Sequence, residues 1–212
     1  SYFPLQRTAV PVTALGLTGD GILMAEKIGS PIVDTGTVEL PPSLPALEIT
    51  QGKKAIMFSS GYFLYKHPCI FVNEAGKRFC NETAYYQLVS PLLLRQKSAF
   101  IIFDDKTKKT VGAAMGYGFS EDLMSEIADG HLKQASTVGE LARLLGIDAT
   151  NLEKTVSDFN TNAGSGKDPE FGRKKALGAI TTAPFYGGRL TVSVVESFGG
   201  LKINTKSQVL DA

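Results

Sequence analysis

The residues with the clearest capacity for chemistry are four tyrosines in two short stretches. Tyr85 and Tyr86 lie near the end of FVNEAGKRFCNETAYYQL, and Tyr62 and Tyr65 occur in SGYFLYKHP. A phenol has an unperturbed pKa near ~10, so it can donate a proton to a carbanion but needs help to act as a base. Amphipathic aromatic side chains also often lie between a protein core and water, which is a purely structural role. Residue type alone leaves both interpretations open.

Metal chemistry is not indicated. The sequence has two cysteines, Cys69 and Cys80, and no CxxC or Cys/His cluster, so a zinc site is not expected. We expect both thiols to be free, small core hydrophobes. His67 and His131 are isolated, and each is expected at the surface or at a boundary rather than as a ligand or base.

The composition is that of an ordinary globular protein, with 43% hydrophobic and 20% charged residues. The net charge of +1 favours neither nucleic acid nor an anionic membrane as a partner. No apolar run reaches the length of a membrane span, and no signal peptide is visible at Ser1. These features leave the cellular compartment open.

Local signals in the first part of the chain predict short elements. TGDGILMAEKIGSP has apolar residues at helical spacing and Gly29 as a stop, and SPIVDTG is typical of a short strand. From Thr37 to Ser60 the prolines predict irregular structure, although KKAIMFS could form a strand. CIFVNEAGKRFCNE predicts a hairpin with Gly76 in its turn.

The signals that follow alternate between helix and strand. A helix is expected from about Thr83 to Arg95, capped by Asn81 or Thr83 with Glu82 in its first turn, and bent or divided at Pro91. SAFIIFDD predicts a buried strand, and residues 120–129 a polar helix.

Two capping boxes, Thr137–Glu140 and Thr150–Glu153, predict helices that end at Gly146 and Gly164. The last segment, from APFYGGRL onward, is typical of strands. This order, without βα alternation, indicates an α+β fold.

Five stretches together resemble a known family. TGDGILMAEKIG, FVNEAGKRFCNE, NLEKTVSDFNTNAGSGKDPEFGR, APFY and FGGLKINTKSQVLD are similar to the soluble fumarate reductases, a bacterial-type FAD flavoprotein family with urocanate reductases and ketosteroid dehydrogenases among its members. The resemblance covers nearly the whole chain in the correct order.

The resemblance implies a divided architecture. In that family the FAD domain is split around a mobile capping domain, which implies that residues 1–36 end the first FAD-domain segment, 37–197 form the cap and 198–212 return to the FAD domain. No GxGxxG fingerprint occurs in the sequence. We therefore expect a fragment that needs the missing FAD-domain segments and does not hold FAD by itself. The competing expectation is a cap-like module that packs on a partner and does no chemistry.

The resemblance also implies site residues. Asp20 falls on an FAD-contacting aspartate; as one of the first residues of a helix it can also interact with the free amides there, and both roles are compatible. The positions of the histidines that bind the fumarate carboxylates in the family are occupied here by Pro41 and Glu196. The position of the proton-donating arginine is occupied by Tyr86, and ketosteroid dehydrogenases also have a tyrosine there. Tyr85 is the alternative if the register is off by one.

The family's acid and arginine that relay protons to the position of Tyr86 fall near Tyr62 and Tyr65. The resemblance also implies that the neighbouring Gly61 contacts the substrate. Glu196 could bind a cationic or hydrogen-bond-donating group, or simply face solvent. The resemblance implies an FAD-dependent oxidoreductase that reduces or introduces an activated carbon–carbon double bond in a small alkene or alkane, with an unidentified electron donor or acceptor. A dicarboxylate needs positively charged hydrogen-bond donors, and Pro41, Glu196 and Tyr86 occupy the positions of the family's histidines and arginine. Fumarate is therefore not the expected substrate.

Overall fold

A single long strand near the C-terminus organises the main sheet. The structure is a computed structural model and describes residues 10–11, 18–36, 38–44, 67–111 and 122–211. The helices of this part of the chain are α1 (Asp20–Lys27), α2 (Tyr86–Leu94), α3 (Asp105–Val111), α4 (Met124–Ala128), α5 (Val138–Leu145) and α6 (Ala149–Gly164). Its strands are β1 (Val10–Pro11), β2 (Ile32–Val33), β3 (Pro42–Ser43), β4 (Ile70–Asn73), β5 (Ala99–Asp104), β6 (Lys133–Ala135), β7 (Phe185–Val194) and β8 (Gly200–Leu201).

Strand β7 pairs with four other strands of a six-stranded sheet. It runs antiparallel to β5, with Phe103 opposite Tyr186, and β4 continues the sheet beyond β5. β6 and β3 pair antiparallel with β7, whereas β1 pairs with it in parallel. The sheet therefore collects strands from both halves of the chain.

Helices cover both faces of this sheet. All six residues of β5 are buried, which confirms the interpretation of SAFIIFDD. Ile101 lies in a core cluster with Val89 of α2, whereas Ile102 lies in a second cluster with Leu141 of α5 and Leu152 of α6. Since successive side chains of a strand point to opposite faces, a strand buried on both sides reads as a continuous apolar run.

Two predicted helix ends are confirmed. Gly29 has φ 91°, and the amides of Gly29 and Ser30 donate to the carbonyls of Glu26 and Ala25, both at 3.0 Å, which is a Schellman arrangement at the end of α1. The Thr137–Glu140 capping box opens α5, which ends at Gly146 with φ 72°.

The start of α6 was predicted wrongly. The helix begins at Ala149, and the carboxylate of Asp148, not the hydroxyl of Thr150, accepts a hydrogen bond from the amide of Asn151 at 2.8 Å. Asp and Thr are both good helix caps, so the local sequence offered two starts. Gly164 is the last helical residue, and the positive φ of 68° falls at Gly166.

The turn of the predicted hairpin is confirmed, but its second arm is short. The side chain of Asn73 accepts hydrogen bonds from the amides of Ala75 and Lys77, and Gly76 has φ 71°. After a single bridge between Val72 and Arg78, the chain leaves the sheet and β4 pairs with β5 instead.

The helix predicted from Thr83 begins later, at Tyr86. Asn81 accepts hydrogen bonds from the amide and hydroxyl of Thr83, so it caps the preceding turn and not α2. Pro91 lies inside α2 without dividing it. The prediction placed Glu82 in the first helical turn; its side chain lies in a buried ion cluster described below.

Two further elements differ from the expectation. Pro42 and Ser43 form the short strand β3 within the segment predicted to be irregular, and proline is tolerated in such a short strand because its missing amide faces away from the partner. Helix α3 was not predicted, since its sequence DKTKKTV has almost no apolar residues. Asp104 caps it by accepting a hydrogen bond from the amide of Thr107 at 2.9 Å. KKAIMFS lies outside the described residues.

A separate two-stranded sheet joins the two ends of the chain. Ile32 of β2 pairs antiparallel with Leu201 of β8, and the hydroxyl of Ser30 donates to the carbonyl of Leu210 at 2.9 Å. The mixed helix and sheet class is therefore confirmed. Cys69 and Cys80 are buried and free, as expected. Within the described ranges, no helix has the length and apolar character needed to cross a membrane.

Candidate active site

Helix α2 brings Tyr86 against the segment that precedes β3. The hydroxyl of Ser90 donates to the carbonyl of Leu40 in a short hydrogen bond, which fixes this face of α2 on residues 39–40. Tyr86 lies one turn earlier on the same face, because residues four apart are neighbours on a helix surface. It is half-buried, whereas Tyr85 is 73% exposed. The two adjacent tyrosines thus have different environments.

The segment under Tyr86 carries two carboxylates. The amide of Glu39 donates to the carbonyl of Glu196 at 2.8 Å, and the amide of Val195 donates to the carbonyl of Glu39 at 3.1 Å. These bonds extend the pairing of β3 with β7 and hold Glu39 and Glu196 side by side. Glu39 is half-buried and Glu196 is exposed. Tyr86 and Glu196, both predicted site residues, are therefore brought together.

The neighbouring carboxylates raise the pKa of the Tyr86 phenol. A hydrogen bond to Glu39 is the main cause that raises the pKa of Tyr86 to about 12, followed by partial burial and the charges of Glu39 and Glu196. A negative neighbour disfavours the phenolate because two like charges would then face each other. Tyr86 is thus a neutral hydroxyl at ordinary pH, available for proton transfer.

Glu39 was missed by the sequence interpretation. The sequence feature that could have indicated Glu39 is its position two residues before Pro41, a predicted site residue, because alternate residues of an extended chain point to the same face. Pro41 itself is buried, and its carbonyl accepts hydrogen bonds from the amide of Ser193 at 3.0 Å and the hydroxyl of Ser43 at 3.2 Å. These contacts are structural, and the proline ring offers no donor to a substrate. Gly61, Tyr62 and Tyr65 lie outside the described residues.

A buried ion cluster lies immediately before α2. Arg78 forms paired hydrogen bonds with Glu82, both at 2.8 Å, and with Asp168, at 3.1 and 2.9 Å. Arg173 donates to Glu82 at 3.0 Å and to the carbonyl of Cys69 at 2.6 Å. Two positive and two negative groups therefore balance inside the protein, which removes most of the cost of burying them.

The ion cluster replaces the helix-capping role expected for Glu82. Burial opposes the charge on Arg78, but its hydrogen bonds to Glu82 and Asp168 outweigh burial and raise its pKa. The Arg78 guanidinium also lies over the rings of Phe159 and Phe171, 5.1 and 4.9 Å from their centroids. The Arg78–Glu82 spacing was visible in the sequence, but Asp168 lies 90 residues from Arg78. The cluster fixes the chain four residues before Tyr86.

Asp20 lies at the exposed start of α1, distant in sequence from the tyrosine site. The hydroxyl of Thr18 donates to its carboxylate at 2.7 Å. Gly19 has φ 77°, and a Cβ on Gly19 or Gly21 would meet no atom within 4 Å. The backbone here is open to the approach of a bound group. In the part of the chain that the structure describes, no cluster of three or more His, Cys, Asp or Glu residues could hold a metal.

Comparison with known proteins identifies the class. The sequence matches the family described as FAD binding domain over residues 3–212. The chain belongs to this family, within the fumarate reductase-like FAD-dependent oxidoreductases. This agrees with the resemblance stated from its motifs.

Individual relatives share about a third of their residues with the chain. A probable fumarate reductase Ifc3 of Shewanella frigidimarina is 32% identical over 99% of this chain and 33% of its own length. An NADH:acrylate oxidoreductase of Vibrio harveyi is 32% identical over 92% of this chain and 18% of its own length. A urocanate reductase of Eggerthella lenta is 30% identical over 94% of this chain and 32% of its own length. The chain therefore spans a third or less of these curated relatives.

Solved structures share the fold. The open conformation of a flavocytochrome c3 fumarate reductase matches with a TM-score of 0.76 at 29% identity, over 99% of this chain and 35% of that chain. A 3-ketosteroid Δ1-dehydrogenase of Sterolibacterium denitrificans matches with a TM-score of 0.74 at 23% identity, over 99% and 41%. A solution structure of a fumarate reductase flavoprotein subunit from Lactobacillus plantarum matches with a TM-score of 0.53 at 21% identity, over 71% of this chain and 96% of that chain.

FAD is the cofactor of this family, and the start of α1 fits a contact with it. The open backbone at Gly19 and Gly21 allows close approach, and the exposed Asp20 carboxylate can accept hydrogen bonds from hydroxyl groups such as those of a ribityl or ribose chain.

Proposed function

We propose that this chain forms the substrate-capping part of an FAD-dependent oxidoreductase that reduces or introduces a carbon–carbon double bond beside a carbonyl or carboxyl group. Residues 37–197 are the cap, and residues 1–36 and 198–212 belong to the FAD domain. The pairing of β2 with β8 supports this division, because the two ends of the chain bind each other in a sheet of their own. Strand β1 is an exception, since it pairs with β7 of the main sheet.

The solution structure matched above shares its fold with 71% of this chain and is itself covered to 96%. A cap that folds by itself can move relative to the FAD domain and exclude water from the site when it closes.

The observation that carries the proposed activity is the position of Tyr86. It stands at the first position of α2, half-buried against Glu39 and near Glu196, in a chain whose family consists of flavoproteins that act on carbon–carbon double bonds. Tyr86 is then the catalytic acid and base. Tyr62 and Tyr65, in the SGYFLYKHP stretch, are proposed to relay protons to Tyr86, and Gly61 is proposed as a substrate contact, as the resemblance implies.

The chemistry that FAD supplies when bound is hydride exchange with one carbon of the double bond. The work of this chain is the proton on the neighbouring carbon. In reduction, the Tyr86 hydroxyl donates its proton to that carbon, and in desaturation the Tyr86 oxygen accepts the proton from it. The Tyr86 phenol is neutral at ordinary pH and so holds the proton that a donor needs, although its pKa, raised to about 12, makes it a weaker acid than a free tyrosine.

Fumarate is a poor fit to this site. Pro41 offers no side-chain donor, and Glu39 and Glu196 bring two carboxylates to the side of the site where Tyr86 lies. A dianion placed there would be repelled and left without charge-assisted hydrogen bonds, which costs several kcal/mol, on the order of hundredfold or more in rate. A neutral enone, or an alkene with a cationic or hydrogen-bond-donating group near Glu196, fits better.

The test is to express the full-length gene product, confirm bound flavin by absorbance and follow reoxidation of the reduced flavin by a panel of enones and enoates. We expect turnover with at least one neutral or cation-bearing alkene and little with fumarate. Fumarate turnover equal to that of the best alkene would contradict the substrate proposal. Absence of bound flavin would contradict the proposed activity itself and favour a binding module.

A further inference from the structure

The backbone of Glu39 is fixed on both sides, which determines where its carboxylate can reach. Val38 bridges Ser197, and Glu39 exchanges backbone hydrogen bonds with Val195 and Glu196. On the other side, Ser90 of α2 donates to the carbonyl of Leu40. The half-buried residue Glu39 is thereby held between the end of β7 and the face of α2 that carries Tyr86.

We infer that Glu39 is the proton partner of Tyr86, so that the tyrosine accepts a proton from a substrate carbon by passing its own phenolic proton to the Glu39 carboxylate. This inference rests on the proposed function of Tyr86 and adds a second residue to it. Glu39 acts through Tyr86 and is a positioning residue; the group that touches the substrate is the Tyr86 oxygen.

A phenol in this environment cannot act as a base alone. With a pKa of about 12, roughly one Tyr86 in 10⁵ is ionised at neutral pH. A neutral phenol can still take a proton if it releases one in the same step, and the acceptor must already be hydrogen-bonded to it. Glu39 is placed to be that acceptor, because pairing with the end of β7 and the Ser90–Leu40 hydrogen bond hold its backbone against the face of α2 that carries Tyr86. Its effect on the pKa of Tyr86 agrees with this placement.

The proton balance of desaturation is then complete. The carbon next to the activating group loses its proton to the Tyr86 oxygen, and the Tyr86 proton moves to the Glu39 carboxylate. FAD, when bound, would supply the hydride acceptor for the neighbouring carbon, so that the electron pair of the broken C–H bond would form the second bond of the alkene. In reduction the same proton path runs in the opposite direction, from protonated Glu39 through Tyr86 to carbon.

Glu196 provides the matched comparison. The groups of the described chain that act most strongly on the Tyr86 hydroxyl are Glu39, the amide side chain of Gln87 and Glu196, of which Glu196 contributes least and only through its charge. It adjoins Glu39 in the pairing but is exposed to solvent. Replacing Glu39 and Glu196 one at a time therefore separates the effect of a direct hydrogen bond on the pKa of Tyr86 from the effect of a nearby negative charge.

The first experiment requires no flavin. Tyrosine labelled with ¹³C at Cζ gives seven signals in this chain, and Tyr86→Phe removes one and so identifies Tyr86. We expect Tyr86 to remain protonated up to about pH 11 in the wild type and to titrate at a lower pH, toward the ordinary value of ~10, after Glu39→Gln, with a smaller change after Glu196→Gln. If Glu39→Gln leaves the Tyr86 titration unchanged, or moves it no further than Glu196→Gln does, the inference is overturned.

The second experiment uses the full-length flavoprotein and its best alkene or alkane. Desaturation should accelerate with rising pH and reduction with falling pH, and Glu39→Gln should abolish this dependence and lower kcat about 10²-fold without loss of flavin. Glu39→Asp should restore part of the rate. If Tyr86→Phe is inactive but Glu39→Gln keeps the wild-type profile, the pair is refuted and the proposed function stands. If Tyr86→Phe and Glu39→Gln are both fully active although Glu39→Gln lowers the pKa of Tyr86 in the first experiment, the proposed catalytic function of Tyr86 is wrong.

Discussion

Adjacent residues of one type can have different roles because a helix turns them in different directions. Tyr85 has an extended backbone before α2 and is exposed, whereas Tyr86 is the first helical residue and faces Glu39. The difference arises from the packing of α2 on residues 39–40. It gives each tyrosine a distinct expected effect on activity.

Tyr86→Phe should lower turnover of the full-length enzyme by about 10²–10⁴-fold, because it removes the hydroxyl that transfers the proton and keeps the ring. Flavin content and Tm should be nearly unchanged. The measurement is steady-state turnover with the best alkene substrate. Tyr85→Phe is the control and should retain most activity. A full loss in Tyr85→Phe with an active Tyr86→Phe would mean that the register of the site is shifted by one residue.

Tyr186 should make the protein sensitive to alkali. Burial and the nearby Asp105, whose carboxylate accepts the phenolic hydrogen bond at 3.2 Å, raise the pKa of Tyr186 to about 12. The folded state therefore holds this proton more tightly than the unfolded state, whose phenol has its ordinary pKa. The resulting stabilisation is complete below about pH 10 and is lost as the pH rises toward 12.

Urea denaturation of the chain between pH 8 and 11 measures this effect. Stability should fall with pH in the wild type, and the fall should be shallower in Tyr186→Phe, which keeps the stacking on Phe103 but has no phenolic proton. Burial also raises the pKa of the Cys69 thiol to about 12, so part of the slope will remain. Parallel curves for the two proteins would show that Tyr186 is not the group responsible.

At the level of elements, the ion cluster ties the turn before α2 to the loop after α6. Arg78 and Glu82 lie on one side, and Asp168 and Arg173 on the other, all buried. Burial raises the pKa of Asp168, but the hydrogen bonds and charge of Arg78 outweigh it, and the pKa lies below its ordinary value. Such a pair contributes stability only while both partners are present.

Asp168→Asn should destabilise the chain by about 3–5 kcal/mol, because it leaves positive charge in a buried place without its partner. Lys154 and Asp158 form an exposed pair with side chains 72% and 60% accessible, and such pairs are worth about 0–1 kcal/mol. Asp158→Asn is therefore the matched control. Equal effects of the two substitutions on the urea midpoint would contradict the structural role of the cluster.

The start of α6 gives a sharper test of local structure. Asp148 accepts the hydrogen bond from the amide of Asn151, and Thr150 lies inside the helix. Asp148→Ala should cost about 1 kcal/mol of unfolding free energy, whereas Thr150→Ala should be neutral or slightly stabilising, because alanine has the higher helix propensity. The reverse order in denaturation experiments would favour Thr150 as the cap.

Features governed by neighbouring residues were predictable from the sequence. The capping box at Thr137, the stop at Gly29 and the buried strand β5 depend on spacings of a few residues. Features that join distant parts were not. Tyr86 meets Glu39 and Arg78 meets Asp168 only because the sheet brings these segments together, and no local pattern encodes those contacts. Helix α3 was missed because its sequence has almost no apolar residues to form a periodic face, although Asp104 caps its start.

At the scale of the whole molecule, both ends of the chain carry large apolar side chains that the described residues leave exposed. Helix α1 has no buried residue, and Leu23, Met24 and Ile28 are 50%, 64% and 84% exposed. Phe198, Ile203 and Val209 near the other end are also more than half exposed. Apolar side chains clustered on a helix and beside its partner strand are typical of a surface that packs on another part of a protein. This agrees with the proposal that both ends belong to a larger FAD domain.

The 212-residue chain should therefore fold but retain little or no FAD when purified alone. Its sheet has helices on both faces and two core clusters, so it has what folding requires. For the cofactor it offers the open start of α1 around Asp20, but no GxGxxG loop to bind a pyrophosphate. The measurement is visible flavin absorbance after purification, with the full-length gene product as control. In that control Asp20→Asn should lower flavin retention, because it removes an acceptor for hydroxyl groups of the cofactor. A yellow, nearly stoichiometric flavin complex of the 212-residue chain alone would show that its own residues suffice to hold FAD, and the proposed division between cap and FAD domain would have to be abandoned.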